Sequence, residues 1–339
     1  MCSITIVKTD MIRAGVYGTV IGDALGVPVE FTSREERRHD PVINMREYGT
    51  HSQPKGTWSD DSSMMLATLD SMMLKKRIDY ADIMEKYCNW RMYGDYTPYN
   101  SVFDIGITCA RAISQYRPGC DPVKCGGFGE RDNGNGSLMR IMPVSLYYAL
   151  RSNYWDENVL NEAVSVVQNV SCLTHAHPRS QMACVIYTSI CHELIYRGDK
   201  TIEDTLQFAV DRTLDFYDAA PKRYFAHNRD FPEEIRKDTY HRLRDISRFS
   251  NLPEYEIQSG GYVVHTLEAA IWCLLKASSF TECVLKAVNL GDDTDTVGAV
   301  AGGLAGLCYG FDYIPEEWWN VIAKKDWIEG MCEEFADII

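Results

Sequence analysis

The chain is short of basic residues. Its 339 residues include 34 Lys and Arg against 48 Asp and Glu, which leaves a formal net charge of −14 at pH 7. Proteins that bind nucleic acid usually need the opposite balance, because the phosphate backbone is held mainly by positive charge. We therefore exclude nucleic acid as a partner. An anionic ligand would have to be held by local features such as a metal ion, a helix N-terminus or a single arginine.

Secretory and membrane signals are also missing. The N-terminal segment MCSITIVKTDMIR has no basic region followed by a long apolar stretch. The weakly polar run at 297–311 is too short and too rich in glycine to span a bilayer. We expect a cytoplasmic protein with no membrane partner. No Pro/Gly/Ser-rich linker interrupts the sequence, so residues 1–339 are expected to form one domain.

The twelve cysteines contain no CxxC pair. Cys120 and Cys125 are the closest in spacing to a ligand pair, but no second pair accompanies them. Scattered cysteines in a chain of this length indicate reduced, mostly buried thiols rather than a disulfide scaffold.

Apolar residues recur at helical spacing through most of the chain. Clear examples are 63–74, 82–92 and 266–277, while alternating patterns typical of strands are scarce. The sequence therefore predicts an all-α fold, a single compact multi-helix domain. Two turn-rich stretches, 32–54 and 221–256, are expected to form loops or short helices near a site.

Glycines line one face of two predicted helices. They are Gly15, Gly18, Gly22 and Gly26 in the first helix, and Gly298, Gly302, Gly303 and Gly306 in the second. Each costs on the order of 1 kcal/mol relative to alanine in a helix, so such stripes need a compensating contact. Close approach of helices at the centre of the protein is the simplest explanation.

One acidic segment precedes a predicted helix. GTWSDDSSMMLATL places Ser59, Asp60 and Asp61 directly before an apolar stretch. Taken alone, this pattern is explained by an N-cap, because Ser and Asp side chains accept hydrogen bonds from first-turn N–H groups.

A second acidic segment changes that interpretation. LGDDTDTVGAVAGGLAG places Asp293, Asp295 and Thr296 at the head of the glycine-lined helix, and Asp292 is interpreted as a capping or supporting residue. A cap needs one acceptor and not several carboxylates. Crowded carboxylates at a dry helix seam repel one another unless a cation offsets them. Oxygen ligands favour Mg²⁺ or Mn²⁺ over zinc, and two ions fit if the two segments meet.

Other polar residues carry weaker signals. Asp23 and Glu30, near the end of the first glycine-lined helix, are each more typical of solvated carboxylates than of catalytic ones. The loop at 132–145 could present N–H groups to a diphosphate, although a plain turn fits equally well, and Arg140 is interpreted as the partner of a local carboxylate.

The segment THAHPRS contains His175 and His177, whose spacing invites a metal site. Residues at i and i+2 diverge on a helix, so we discount that interpretation. A polar substrate contact or a structural role is expected for His175.

Taken in order, the motifs resemble those of the ADP-ribosylglycohydrolase family, which includes dinitrogenase reductase-activating glycohydrolase and the ADP-ribosylarginine hydrolases. The likeness covers nearly the whole chain. It runs through GDALGVPVEF, GTWSDDS, DIGITCARAI, GNGSLMR, THAHP, QSGGYVVHTLEAAIW, VNLGDDTDTVGAVAGGLAG and YGFDYIPEEW. Several motifs in one order are far more specific than any single pattern.

The resemblance implies an all-helical domain with a central site for two Mg²⁺ or Mn²⁺ ions. The metal ligands that it implies are Ser59, Asp60, Asp61, Asp293, Asp295 and Thr296. The catalytic residues that it implies are Glu30 beside the metals, Asp60, and Asp104 near the scissile ribose. The substrate-binding residues that it implies are Gly134, Asn135, Gly136 and Ser137 in a diphosphate loop, His175 near that loop, and Tyr262 at the ribose.

The sequence departs from the family pattern at two positions. Ser59 stands where threonine is usual, which keeps the oxygen but loses the methyl group that restricts χ1. Some relatives stack adenine on an aromatic residue beside the glycine loop, where this chain has Asn133, and Phe128 is the alternative aromatic contact.

The resemblance implies metal-dependent hydrolysis of the N-glycosidic bond between ADP-ribose and a protein side chain, with arginine favoured. The partner would then be an ADP-ribosylated protein. One alternative is an immunity protein that neutralises an ADP-ribosyltransferase toxin by direct binding as well as by hydrolysis. A phosphatase with the same metals and a structural family member without activity are further alternatives.

Overall fold

A computed structural model describes residues 7–151, 153–219 and 233–339. These residues contain sixteen α-helices and no β-strand, and the isolated bridges Gly127–His175 and Gly134–Tyr262 are their only β-type pairings. The prediction of an all-α fold is confirmed.

The α-helices are α1 (Lys8–Gly26), α2 (Arg34–His39), α3 (Asp60–Lys75), α4 (Tyr80–Tyr93), α5 (Ile107–Gln115), α6 (Met142–Ala149), α7 (Glu157–Cys172), α8 (Pro178–Ile195), α9 (Ile202–Ala219), α10 (Glu233–Asp238), α11 (Ile246–Ser250), α12 (Val263–Leu275), α13 (Phe280–Val288), α14 (Thr294–Tyr309), α15 (Glu316–Val321) and α16 (Lys325–Ala336).

Helices α1 and α14 form the centre of the protein. Every residue of α1 from Ala14 to Gly26 is buried, and so is every residue of α14 from Thr294 to Cys308. A helix that is buried on all sides must pack against several neighbouring helices. These are α12 and α13 against α14, with α16 and α6 against α1. Within the described residues, no helix is both long enough and apolar enough to cross a membrane.

The glycines allow α1 and α14 to touch backbone to backbone. A Cβ atom on Gly22 would lie 2.0 Å from the carbonyl oxygen of Gly298, and one on Gly302 would lie 2.1 Å from that of Gly18. Real side chains cannot approach so closely. The expectation that the glycine stripes mark close helix approach is therefore confirmed.

This contact fixes which helix ends meet. A Cβ atom on Gly26 would lie 2.3 Å from the amide nitrogen of Asp295, and the Thr294 hydroxyl donates to the Gly26 carbonyl at 2.8 Å. The C-terminal end of α1 thus lies against the N-terminal end of α14. Asp23 and Glu30 are thereby brought beside the second acidic segment.

The turn-rich stretch 32–54 forms α2 and connecting loops, as predicted. Its Arg34 guanidinium donates to the carbonyl oxygens of Glu254 and Ile257 before α12 and of Leu290 before α14, which ties this stretch to both segments. Of the second stretch, residues 221–232 lie outside the described residues, and 233–256 forms α10, α11 and short 3₁₀ turns.

Among the described residues, eleven cysteines are free, and nine of them are buried. The prediction of reduced, mostly buried thiols is confirmed for this part of the chain. Cys120 is exposed and Cys88 is half-buried.

We predict that Gly302→Ala destabilises the protein by on the order of 3 kcal/mol, because the new methyl group has no space against the Gly18 backbone. The free energy of unfolding in urea measures the effect. The matched control is Gly330→Ala in α16, where a Cβ atom meets nothing within 4 Å. That change should raise stability by about 0.5 to 1 kcal/mol, as expected for glycine in an open helix position. Equal stability of the two variants would contradict the packing argument.

Candidate metal centre and active site

The two acidic segments meet at the end of the α1–α14 seam. The Thr296 hydroxyl donates to Asp61 Oδ1 at 3.2 Å, and these residues are 235 positions apart in the chain. Asp61 also lies in one group with Asp23 and Asp295, and Asp295 joins a second group with Glu30 and Asp293. Within each group, one oxygen per carboxylate lies within 4.8 Å of the others. The sequence prediction that these segments come together is confirmed.

The sequence interpretation of Asp23 and Glu30 as solvated carboxylates is wrong, because both are buried. Asp23 is fully buried. Its carboxylate accepts hydrogen bonds from the amides of Ser59 at 2.9 Å and Ser62 at 3.0 Å, and from the Ser62 hydroxyl at 2.6 Å. Asp23 therefore fixes the N-terminus of α3 against α1. Its position next to Gly22, on the helix whose glycines face α14, was the sequence signal that could have indicated its burial.

Ser59 lies at the start of α3. Its hydroxyl accepts a hydrogen bond from the Asp61 amide at 3.3 Å, which makes it the N-cap of α3. The capping interpretation of the first segment is therefore correct for Ser59. Asp293 precedes α14 but makes no such cap, because its side chain accepts from Asn135 instead. Asp292 pairs by its backbone with Phe31 and Thr32.

The carboxylates are buried without enough positive charge. Among the described residues, His51 is the only basic side chain paired with this cluster, and no Lys or Arg forms an ion pair with it. Burial, reinforced by neighbouring carboxylates, raises the pKa of Asp60, Asp61 and Asp295 well above the usual range. Burial also raises the pKa of Asp23 to about 6, against the hydrogen bonds that it accepts.

Asp61 Oδ2 is a buried oxygen with no hydrogen-bond partner. An orphaned carboxylate oxygen beside several others needs a cation or a proton. The donor set consists of oxygens, from Asp, Glu, Ser and Thr, which suits a hard divalent cation and not zinc. The residues present therefore fit Mg²⁺ or Mn²⁺.

Glu30 follows a 3₁₀ turn at Val27–Val29 that ends α1. Its carboxylate is hydrogen-bonded to His51 Nε2, and its carbonyl accepts from the Thr50 hydroxyl at 2.8 Å. Burial raises the pKa of Glu30 to about 7, while the hydrogen bond to His51 opposes this rise. The same hydrogen bond raises the pKa of His51. Sequence reasoning missed His51, and no local pattern around it points to this contact.

A cavity of about 390 Å³ opens above the cluster. Ten of the residues implied by the sequence line it: Glu30, Asp60, Asp61, Asp104, Gly134, Asn135, Gly136, His175, Asp293 and Thr296. Asp295 lies buried beneath them. Ser59 lines a small neighbouring pocket together with Asp60 and Asp104.

Two implied substrate-binding side chains lie elsewhere. The side chain of Ser137 is fully buried, and its hydroxyl accepts a hydrogen bond from the Ser171 hydroxyl at 2.9 Å. Tyr262 lines an adjacent groove of about 500 Å³. Phe128 packs on His177, with ring centroids 6.2 Å apart. Helix packing and not sequence order decides these placements.

The glycine loop lines the same cavity as the carboxylates. Asn135 Nδ2 donates to Asp293 Oδ2 at 2.8 Å and to the Thr266 hydroxyl at 2.9 Å, which joins the loop to the second acidic segment. A Cβ atom on Gly136 would lie 2.7 Å from His175 Cε1. Glycine is therefore required for the loop to approach this ring.

His175 and His177 separate, as the sequence argument expects. His177 caps α8 through Nδ1, while His175 is buried at the cavity with Nδ1 2.8 Å from the Thr174 hydroxyl. Burial lowers the pKa of His175 to about 3, so the ring is neutral. The prediction that Arg140 pairs with a local carboxylate is wrong, because its guanidinium donates to Tyr87, Val170 and Thr174.

A family model for ADP-ribosylglycohydrolase matches residues 5–339. The chain belongs to the ADP-ribosylglycohydrolase family. The resemblance drawn from the ordered motifs is thus confirmed, and the protein is a hydrolase of this family.

Individual relatives agree with this assignment. ADP-ribosylarginine hydrolase Tri1 of Pseudomonas putida is 30% identical over 331 residues, covering 97% of this chain and 78% of the relative. ADP-ribosyl-[dinitrogen reductase] glycohydrolase of Rhodospirillum rubrum is 29% identical, covering 93% of this chain and 91% of the relative. A solved structure titled ADP-ribosylglycohydrolase-related protein complex has a TM-score of 0.75 and 27% identity, and covers 98% of each chain.

We predict that the metal-free protein loses thermal stability over a window from about pH 6.5 upwards. The pKa of Glu30 is raised to about 7 and that of Asp61 well above its usual value, so the folded protein holds protons that the unfolded chain has released. Stability from such groups is complete below the unfolded pKa and is lost as the pH rises through the folded pKa. The window starts near pH 6.5, the usual pKa of histidine. Below that pH the buried histidines change the stability in the opposite direction, because the unfolded chain binds protons that they do not bind in the folded protein.

The measurement is the melting temperature in EDTA across this window, followed by addition of Mg²⁺, which should restore stability at the upper end. Asp61→Asn should flatten the pH dependence and reduce the shift caused by Mg²⁺. The exposed Asp312→Asn is the control and should behave as the wild type does. A metal-free wild type whose melting temperature rises across the window would contradict the argument.

Proposed function

We propose that this enzyme hydrolyses the N-glycosidic bond between ADP-ribose and a modified protein side chain, most favourably arginine, with two Mg²⁺ or Mn²⁺ ions. The observation that carries the proposal is the carboxylate cluster at a cavity that a glycine loop also lines. The names of the relatives, ADP-ribosylarginine hydrolase and ADP-ribosyl-[dinitrogen reductase] glycohydrolase, support this reaction.

The proposed ligands of the ions are oxygens of the two acidic segments. They are Ser59, Asp60, Asp61, Asp293, Asp295 and Thr296, with Asp23 as a further carboxylate in the same group. Ions bound there would offset the negative charge and supply Lewis acidity to hydroxyl groups of the ribose and to water.

Glu30 is the proposed general base. Its carboxylate lines the cavity, is buried and has its pKa raised to about 7, which suits a group that accepts a proton near neutral pH. His51 holds it in place through Nε2. Asp60 is the other candidate base, but its carboxylate accepts a hydrogen bond from the Gly106 amide, and burial raises its pKa well above the usual range. We therefore assign the proton transfer to Glu30.

The remaining residues would orient the substrate. Asp104 is half-buried at the cavity beside Asp60, where it can accept a hydrogen bond from the ribose and stabilise positive charge as the C–N bond breaks. The main chain of Gly134 and Gly136 can approach the diphosphate closely, because neither residue carries a side chain. The five carboxylates that line the cavity also favour the positively charged guanidinium of arginine as the leaving group.

Neutralisation of an ADP-ribosyltransferase toxin by direct binding stays a prediction from the sequence, as does a cytoplasmic location. Hydrolysis and binding can be separated by experiment. A metal-site variant that still protects against the toxin would establish that binding suffices.

The test offers ADP-ribosyl-arginine, ADP-ribosyl-serine and an O-acetyl ester of ADP-ribose to the purified protein with Mg²⁺ or Mn²⁺. Free ADP-ribose should appear fastest from the arginine linkage and disappear with EDTA. Asp295→Asn and Glu30→Gln should each lower kcat by more than roughly 100-fold, because each removes a group from the reacting centre. Glu30→Gln should retain binding of ADP-ribose.

Asp292→Asn is the matched control. Asp292 adjoins the ligands in sequence but is exposed, and its backbone has φ of 62°, a conformation that Asn tolerates well. This variant should keep near wild-type activity. Release of inorganic phosphate without ADP-ribose would instead favour a phosphatase, and full activity of Asp295→Asn would refute the site assignment.

A further inference from the structure

Arg140 is a fully buried cation without a carboxylate partner in the described part of the chain. It lies between the glycine loop and α6. Its Nη1 donates to the Tyr87 hydroxyl at 2.9 Å, and its Nη2 donates to the Val170 carbonyl at 3.2 Å and to Thr174 Oγ1 at 2.7 Å. A buried arginine held only by neutral groups is unusual, because burial of an uncompensated charge is unfavourable. It needs a reason.

The hydrogen bonds of Arg140 determine the direction of the next one. A guanidinium has only donors, so Thr174 Oγ1 accepts from Arg140 Nη2. The Thr174 hydroxyl keeps one proton to donate, and His175 Nδ1 lies 2.8 Å away. The other group within its reach is the Cys109 thiol, and sulfur is a weak acceptor. The proton of Thr174 is therefore directed to His175 Nδ1, which must be the unprotonated nitrogen of the ring.

The other ring nitrogen faces the cavity. His175 Nε2 would lie 3.5 Å from a Cβ atom on Gly134 and 3.4 Å from one on Gly136, so it points at the glycine loop. The ring is only 3% exposed and lines the cavity. Nothing within residues 7–151, 153–219 and 233–339 forms a hydrogen bond with Nε2. A ring nitrogen without a protein partner, on a side chain that is almost fully buried and lines a cavity, indicates a ligand group that accepts its hydrogen bond.

We propose that Arg140 and Thr174 form a relay that holds His175 as the tautomer protonated at Nε2, so that this N–H donates to a phosphate oxygen of the substrate. Arg140 and Thr174 are positioning residues that act through His175. The identity of the accepting group rests on the proposed function, whereas the tautomer follows from the hydrogen bonds alone.

The charge of Arg140 acts in the same direction. Burial, reinforced by the nearby Arg140 guanidinium, lowers the pKa of His175 to about 3. The ring therefore stays neutral across the physiological range and presents one fixed donor. An anionic diphosphate at the loop would also offset the unpaired charge of Arg140, which explains why the cation is tolerated in the core.

The decisive measurement is a long-range ¹H–¹⁵N NMR spectrum of the full chain, loaded with Mg²⁺ and labelled with ¹⁵N at histidine. The signals of His175 are assigned by their loss in His175→Asn. We expect a protonated Nε2 and an unprotonated, hydrogen-bonded Nδ1. A ring protonated at Nδ1 would overturn the relay, whatever the enzyme's activity.

Variants then test each member of the relay. Thr174→Val removes the hydroxyl without changing the shape of the side chain, so the Nδ1 signal should move to the position of a nitrogen without a hydrogen bond. The Kd for ADP-ribose should rise roughly five- to tenfold, as expected for loss of one well-placed hydrogen bond. Thr174→Ser should restore both properties. An unchanged ¹⁵N chemical shift of His175 Nδ1 in Thr174→Val would contradict the proposal.

Thr188→Val is the matched control, because Thr188 is equally buried but its hydroxyl bonds Cys184 and Ser145 away from the cavity. It should leave the His175 signals and the Kd unchanged. Arg140→Met, checked for folding by its melting temperature, should weaken ADP-ribose binding and raise the pKa of His175. A protein that binds no ADP-ribose but shows the expected tautomer would refute the proposed function and leave the relay standing.

Discussion

Backbone contact between α1 and α14 is the constraint on which the site depends. Gly18 and Gly22 on one helix meet Gly298 and Gly302 on the other at distances that exclude any side chain. The two helices therefore have a single relative position, and a shift along the seam would bring a carbonyl against a Cβ atom. Because the acidic residues lie at one end of this seam, the same contact that stabilises the core also sets the spacing of the carboxylates.

That spacing creates an electrostatic conflict that the protein resolves only in part. Helices α3 and α14 both begin at the cluster, and the positive ends of their dipoles favour the carboxylates there. Asp23 also gains three hydrogen bonds from the first turn of α3. These contacts are too weak to offset several buried charges, as the raised pKa values and the orphaned Asp61 oxygen indicate. The remaining compensation must come from protons or bound cations, and the oxygen groups suit a divalent cation.

The cavity thus has two walls of opposite character. One wall is acidic and suited to cations, while the other consists of glycine main chain, the neutral His175 and the buried Arg140 behind it. Asn135 joins the two walls, because its amide donates to Asp293 while its backbone belongs to the loop. A ligand that carries both hydroxyl groups and a diphosphate, as ADP-ribose does, matches this arrangement along its length.

Local patterns in the sequence determined the helices, the glycine faces and the two acidic segments, because helical period, cap residues and donor chemistry are properties of short segments. They also sufficed to identify the family, through motifs that keep one order. Only the tertiary structure decided four other features. They are the burial of Asp23, the pairing of His51 with Glu30, the neutral partners of Arg140, and the position of the Ser137 and Tyr262 side chains away from the cavity. Periodicity shows which face of a helix is buried but not which residue lies opposite it, and each of these features depends on a neighbour distant in the chain or on a helix packed against it.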